Sequence, residues 1–358
     1  MKHLKTCCKR SFIFLVILTL ISIGILFCTQ YGRTLRIHAA ESILTSQHPQ
    51  YAKYMFLPQK ELDALQDSIH HPKWSNSKEG MNQQIEEKKL QVLKNQPLQI
   101  EIDTIKSDGN SHFHFEGKLI TISNPLNVKL VTQKGSQGTN RGEKIGVMAK
   151  RNNALVAVNA SGFSDETGRG GGNIATGIVI ENGKIMDTNQ DQNTPTITTG
   201  ITKFGQMITG NYSASQLIEK QVVSAAGFMP QLLVNGEKMI TNGDGGWGSG
   251  PRSIMAQKKD GSILFLVIDG RQPHSIGATL KECQDILYDK GAVNAMAMDG
   301  GSSATLYVGG KIRNSPSTLS HDDRFLPNAW VISPRFKQKV TIKIDGKHVD
   351  VNALDDIK

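Results

Sequence analysis

Cysteine is scarce in this chain of 358 residues, with four in all, and aromatic residues make up only 6%. Cys7, Cys8 and Cys28 lie at the N-terminus, which leaves Cys283 alone in the remainder. That part of the chain therefore has no intrachain disulfide. Exported proteins of this size often carry disulfides, so a disulfide-free exterior domain fits a Gram-positive bacterial surface, with Cys283 read as a small buried helix residue. Several chemical signatures are also missing. No Gly-Lys-Ser/Thr follows any glycine run, which excludes a Walker phosphate loop. No Gly-x-Ser-x-Gly elbow is present, which argues against Ser302 or Ser303 as a hydrolase nucleophile. His112 and His114 read as sharing one strand face, but a metal site needs more ligands. There is no internal repeat and no low-complexity tract, and no aromatic-basic motif supports nucleic-acid binding.

What is present is glycine, at 35 residues, and an ordinary globular balance of 38% hydrophobic and 20% charged residues. Many tight turns and a β-rich body follow. The formal charge of +9 is partly carried by Lys2, Lys5, Lys9 and Arg10. The modest basic excess beyond them suits anionic neighbours, such as phosphate-bearing wall polymers or lipid headgroups.

Those four residues precede "SFIFLVILTLISIGILFC", Ser11 to Cys28, which carries no charge. This is about the ~17–20 residues that a spanning helix needs. The basic flank holds the N-terminus in the cytoplasm and places the rest outside. The run is longer than the ~7–15 residue core of a cleaved signal, and the best cleavage site, His38-Ala39-Ala40, lies beyond Arg33 and Arg36. An uncleaved anchor is thus expected, with cleavage as the alternative. We divide the chain into a cytoplasmic tail (1–10), a signal anchor (11–30), a stalk with short helices (31–96) and a main domain (97–358).

In the main domain, "LQIEIDTI" alternates as a half-buried strand and "SILFLVID" reads as a fully buried one. "ENGK" places Asn182-Gly183 at a hairpin turn. "EKIGVMAKR" is a short helix with Ile145, Met148 and Ala149 on one face. "TLKECQDILYDKG" is an amphipathic helix closed by Gly291, with Leu280, Cys283, Ile286 and Leu287 inward. Hairpins mixed with strand–helix–strand passages predict an α+β fold: a mixed sheet with flanking helices.

Three buried strands end alike. "AVN" ends in Asn159, "FLVID" in Asp269 and "MAMD" in Asp299, each followed by small and polar residues. Ligand groups gather where strands give way to loops, so the three endings are expected to form one polar cleft. "NGDGGWGSGPRS" reads as a flexible loop closed by Arg252, whose planar fork suits phosphate. "DETGRGGGN", residues 165–173, is similar.

With these residues in view, the chain resembles the phosphodiester glycosidase family, which includes N-acetylglucosamine-1-phosphodiester α-N-acetylglucosaminidases and bacterial surface proteins described as exopolysaccharide-related. The resemblance covers roughly 127–333. It rests on "AVNASGF", "ATGIVIENGK", "GPRS", "VIDGRQPHSIGATLKE", "MDGGSSATLYVGG" and "LPNAWVI", in this order. Two departures stand out: "NASGF" where the family is richer in glycine, and "DGGSS" where it has three glycines before the serine. Both lie where backbone would meet ligand, so they bear on substrate choice.

The resemblance implies hydrolysis of a sugar-1-phosphodiester at the anomeric carbon. A phosphate leaving group is already a stable anion, so such a site needs cations and donors at the phosphate and a carboxylate beside the oxocarbenium-like sugar. Asp269, Asp299 and Glu282 are the expected catalytic carboxylates, with Glu282 alternatively a structural anchor. Arg252, Ser302 and the backbone N–H groups of Gly300 and Gly301 are assigned to the phosphate, and Asn159 to a sugar hydroxyl. Gly162, Phe163, Thr176, Arg271, Ser275, Thr279 and Ser303 complete the expected substrate-binding set. Carboxylates and loop carbonyls are suitable ligands for a calcium or magnesium ion, but no contiguous ligand loop fixes one. The expected partner is a glycosyl-phosphate glycan or wall polymer; no feature of the sequence sets an oligomeric state. Two rivals stay open: a metal-dependent phosphodiesterase cutting P–O, and a non-catalytic exopolysaccharide-binding or assembly protein.

Overall fold

The computed structural model describes residues 2–46, 48–78, 83–109, 111, 113–135, 141–164, 171–186, 191–351 and 354. It divides into two compact units, Met1–His71 with Gly246–Gly248, and Pro72–Gly245 with Ser249–Lys358. The division falls at Pro72, ahead of the boundary expected near residue 97.

In the smaller unit, Lys2–Cys28 is helical. Its stretch Ser11–Cys28, with a mean hydropathy of 2.8, is long and apolar enough to cross a membrane. The helices Gln30–Leu44 and Gln59–His70 follow, with the 3-10 segment Pro49–Met55 between them. They share a small core of Ala40, Leu44, Ala52, Leu57, Leu62 and Ile69. The first part of the segment expected to be a stalk with short helices has its own apolar centre, built from the helical spacing of Leu62, Leu65 and Ile69 and from the additional helix Gln30–Leu44.

Among its described residues the larger unit is an α+β body with one nine-stranded, two five-stranded and two two-stranded sheets. In the nine-stranded sheet the order is Glu237–Lys238, Gln231–Val234, Ala292–Met298, Arg252–Lys258, Ile263–Ile268, Glu116–Ile122, Leu98–Lys106, Val340–Ile344 and Lys347–Val349. The sheet is mixed: Leu98–Lys106 pairs parallel with Val340–Ile344 and antiparallel with Glu116–Ile122. One five-stranded sheet centres on Val156–Asn159 and Asn328–Ile332, the other on Val222–Gly227. The three larger sheets feed one core, which includes Ile120, Met255, Phe265 and Met298 from the nine-stranded sheet, Val156 and Trp330 from the second, and Val179 and Ile201 from the third.

Local chemistry explains the elements that matter for the site. Ile263–Ile268 is buried at every position, as a strand covered on both faces must be. The helix Leu280–Asp289 starts at a reciprocal capping box between Thr279 and Glu282 and stops where Gly291 adopts φ +83. Its inner face carries Leu280, Cys283, Gln284 and Leu287, while Ile286, expected inward, is only half-buried. Burial pushes the Cys283 thiol up to about 12, so it stays a protonated core group. Asn182 and Gly183, at φ 51 and 73, make the expected tight hairpin turn.

Candidate active site

The central feature is a crossover. Ile263–Ile268 and Ala292–Met298 both pair antiparallel with Arg252–Lys258, which lies between them. They are therefore parallel to each other, and the helix Leu280–Asp289 carries the chain from one to the other. Both strands end at the same sheet edge, where the middle strand begins. Asp269, Arg252 and Asp299 leave the sheet side by side, with Arg252 opposite Ile268 and Ser253 opposite Met298. The two acids sit two strand spacings apart, about 10 Å along the sheet edge.

The loops there are in close contact. A Cβ on Gly270 would lie 2.5 Å from Pro251 N, and one on Gly300 would lie 2.8 Å from Pro251 O. Gly301, at φ +57, donates its N–H to Pro251 O at 3.0 Å. The third expected strand end joins from the second sheet: Asp299 N–H donates to Ala160 O at 3.0 Å, and Asn159 Nδ2 donates to Asp299 O at 2.6 Å. All three polar strand endings thus meet.

Asp299 is the acid whose surroundings are least ordinary. Burial pushes its carboxyl up to about 6, against the opposing pull of a hydrogen bond from Ser303 and of the Arg324 charge. Asp269 has no part in that rise. Arg324 Nη1 donates to Ser302 Oγ at 2.8 Å and to Ser303 Oγ at 3.5 Å, and its guanidinium lies 4.6 Å from the centre of the Phe163 ring. Ring and hydroxyls hold the cation beside the carboxylate. Arg271 is exposed, with φ 58, an unusual backbone region for any residue but glycine. Its Nη1 lies 3.4 Å from where a Gly301 Cβ would sit. The glycine therefore leaves room for the guanidinium.

Asp269 is more committed. Its Oδ1 accepts from Asn314 Nδ2 at 3.1 Å and from Ser315 N–H at 2.9 Å, and its Oδ2 lies 3.5 Å from His274 Nε2. Burial raises its carboxyl pKa, while those bonds and His274 pull the other way. Asn314 also donates to Ala304 O at 3.0 Å and accepts from Leu306 N–H at 2.8 Å, so Asp269 ties the turn after Asp299 to its own strand.

Several expected site residues are positioning groups. Glu282 Oε2 accepts from Thr279 N–H at 2.7 Å and Oγ1 at 2.8 Å; its carboxylate caps a helix, which corrects its expected catalytic role. Asn159 is fully buried, with its amide spent on Asp299 O and Thr305 N–H, so it shapes the loop and does not reach a sugar hydroxyl. The Gly301 N–H, expected at the phosphate, is used by Pro251 O. Ser275 and Thr279 are fully buried; the Ser275 hydroxyl donates to Asp269 O at 2.7 Å and accepts from Glu116 N–H at 3.0 Å. Arg252 is the rigid first residue of a central strand, 7% exposed, with Nε donating to Ala278 O at 2.9 Å. Burial lowers its pKa, opposed in part by Cys283, Asp244 and Glu282. It is thus not the end of a mobile loop. Gly162 faces Thr176 Oγ1 and the Phe228 ring, at 3.0 and 3.1 Å from a would-be Cβ, and accepts Thr176 N–H at 2.9 Å.

His112 lies outside the described residues. His114 is exposed, precedes the strand Glu116–Ile122 and has Nε2 2.9 Å from Pro273 O, so His114 itself is not on a strand. Residues 165–170 of the second glycine-rich loop are also outside the described set. Among the described residues of the larger unit, no three histidine, cysteine or carboxylate ligand atoms gather within 4.8 Å. Arg324 and Asn314 join the site without a sequence signal that singles them out, while His274 and Asn328 lie in the stretches "VIDGRQPHSIGATLKE" and "LPNAWVI" without an assigned role. Asn328, fully buried, accepts both Ser161 N–H at 3.0 Å and Oγ–H at 2.8 Å, which locks the loop after Asn159.

Two acidic strand ends of the nine-stranded sheet, flanked by cations and joined by Asn159 from a second sheet, form the candidate site of a phosphodiester glycosidase fold. The family model for phosphodiester glycosidases matches residues 152–333, a span that contains every site residue from Asn159 to Arg324, and the chain belongs to that family. It is 31% identical over 189 residues to the SPbeta prophage-derived uncharacterized protein YomE of Bacillus subtilis, covering 50% of this chain and 28% of that protein. It is 26% identical over 227 residues to the N-acetylglucosamine-1-phosphodiester alpha-N-acetylglucosaminidase of Bos taurus, covering 58% of this chain and 42% of that one. The chain therefore spans less than half the length of these relatives. The zebrafish N-acetylglucosamine-1-phosphodiester alpha-N-acetylglucosaminidase catalytic domain, auto-inhibited by its pro-peptide, shares the fold, with TM-score 0.57, 23% identity and coverage of 73% of this chain and 88% of that one.

Proposed function

We propose that this protein hydrolyses the anomeric C–O bond of a sugar-1-phosphodiester, of the N-acetylglucosamine-1-phosphodiester type, within a glycan or wall polymer outside the cell. The observation that carries this reading is the Asp299 carboxylate lying within electrostatic reach of the Arg324 cation, with the exposed Arg271 against Gly301 in the same turn. A glycosyl phosphate brings charge of opposite sign to two neighbouring points: a developing positive charge at the anomeric carbon and negative charge on the departing phosphate. Asp299 suits the first and the two guanidinium groups suit the second. The Ser302 and Ser303 hydroxyls fix both partners, so little reorganisation accompanies the reaction. Phosphate leaves as a stable anion, which lessens the need for a general acid.

Asp299 works in this scheme as an ionised group, either beside the oxocarbenium-like centre or as base to the attacking water. Asp269 and Arg252 act through others, holding the loops in register. The length and hydropathy of the helix Ser11–Cys28 support a signal anchor, with the larger unit on the outer side of the membrane.

The test is free-sugar release from UDP-N-acetylglucosamine and a panel of sugar-1-phosphodiesters, with the full chain in membranes and on intact cells. Asp299→Asn should lower release about 10²–10⁴-fold without loss of thermal stability, and intact cells should hydrolyse added impermeant substrate. Equal release by wild type and variant would remove Asp299 from the mechanism, and activity confined to broken cells would refute the external location.

A further inference from the structure

We propose that the larger unit carries a second, non-catalytic binding site for an anionic glycan chain: a basic groove at the end of the nine-stranded sheet opposite Asp299. The groove encloses about 1060 Å³, at the upper end of the ~300–1,000 Å³ typical of small-molecule sites and roomy enough for several sugar-phosphate units. Its place follows from the strand order. Arg252 begins the central strand at the catalytic edge, and Lys258 ends it at the groove. The strand between them spans about 20 Å, so one polymer molecule can engage both ends of the sheet.

The lining chooses the ligand. Lys78, Lys88, Lys89, Lys258 and Lys259 line it together with Glu86 and Asp260. Lys89 pairs with Glu86 at 3.0 Å and Lys258 with Asp260 at 3.8 Å. Lys78, Lys88 and Lys259 are exposed, and no carboxylate among the described residues pairs with them. A net positive concavity with flexible ammonium groups matches successive phosphates, which need charge more than fixed geometry. Between the lysines lies an apolar floor of Val92, Pro125, Phe204 and Val293. An aromatic and aliphatic floor offers the C–H faces of sugar rings a dry surface that a sugar-free acidic polymer would not need. A bilayer is flat and does not enter a concave groove, so lipid headgroups match less well than a chain. The site is separate from the one proposed above, although its ligand belongs to the same chemical class. Two weak sites on one chain raise retention on the polymer without new contacts at the reacting bond.

The experiment measures binding and turnover separately, with the full chain in detergent. Calorimetry with glucosylated poly(glycerol phosphate), which carries both phosphates and sugar rings, should give binding that weakens as salt rises. The triple variant K78E/K88E/K259E should bind about tenfold more weakly or worse, each surface charge contributing modestly, while its melting temperature and its release of sugar from a short sugar-1-phosphodiester stay near wild type. Phe204→Ala keeps every charge and should weaken binding of a sugar-containing polymer more than that of poly-L-glutamate. The proposal is overturned if the folded wild type binds no anionic polymer, if the triple variant binds as well, or if poly-L-glutamate binds as tightly as the phosphate polymer. It is equally overturned if the triple variant loses binding only to phosphatidylglycerol vesicles. Because calorimetry needs no turnover, a protein that hydrolyses nothing still decides this question.

Discussion

Asp299 carries a carboxyl raised to about 6 by burial, and two further residues tune what it can do. Its folded-state value lies above the ordinary carboxylate value, so the ionised form is disfavoured by the fold, and stability from this group is lost as pH rises towards and through about 6. If the ionised form is the working one, kcat/KM should fall as pH drops through about 6. The Arg324 cation favours ionisation, so Arg324→Gln should move that acidic limb upward as well as lowering activity; a pH–rate profile with an unmoved or lowered inflexion would contradict this pairing. Arg271 gives a complementary test, because its φ of 58 disfavours any side chain. Arg271→Gly should relieve about 1 kcal/mol of backbone strain, offset in part by the freedom glycine gains when unfolded. Its melting temperature should therefore hold or rise while kcat/KM drops; a variant that is destabilised yet fully active would show that Arg271 is held there for folding. Asp299 and Arg271 were legible in the sequence because each follows a buried strand and sits beside glycine. Arg324 was not. It stands among Asp322 and Asp323, which makes it read as locally neutralised, but Asp323 turns away to Ile145 N–H at 3.2 Å and Lys144 at 3.4 Å.

The helix Leu280–Asp289 makes the crossover that brings Asp269 and Asp299 to one edge, so its start is an element-level control point. Glu282→Ala removes half of the capping box and should cost about 0.5–2 kcal/mol, read as a lower melting temperature with kcat changed far less than in Asp299→Asn. A Glu282→Gln variant, which can still accept from Thr279, should recover most of the loss; a kcat collapse in both variants would restore Glu282 to the chemistry. The local pattern disclosed this helix, the buried strand ending in Asp269 and the hairpin at Asn182-Gly183, because each has a strong signal within a few residues: a cap, a continuous apolar run, a turn pair. The central strand Arg252–Lys258 was hidden for the opposite reason. Its Arg-Ser start follows a glycine-rich loop, and only its place between two buried strands makes a buried arginine tolerable, through Ala278 O and the nearby Asp244 and Glu282 charges. The threonine-rich strand Thr196–Thr202 was equally silent: its buried Thr198 and Thr199 resemble surface residues, and their hydroxyls are satisfied by Thr196 O and Ile208 O.

At the scale of the whole molecule, the larger unit combines its three larger sheets around one core, with the acids and two arginines at one end of the largest sheet and a lysine-lined groove at the other. Membership of the phosphodiester glycosidase family accounts for the first end, since the matched span 152–333 contains it. The second end draws on residues both inside and before that span, among them Lys78, Lys88 and Lys89. The smaller unit adds a helix with the length and hydropathy of a membrane span. The central claim is that the bond broken joins the anomeric carbon to oxygen, and oxygen labelling reads it directly. Hydrolysis in H₂¹⁸O by the full chain should place the label in the released sugar and leave the phosphate unlabelled. Label in the phosphate instead would mean P–O cleavage and would contradict the role proposed for Asp299.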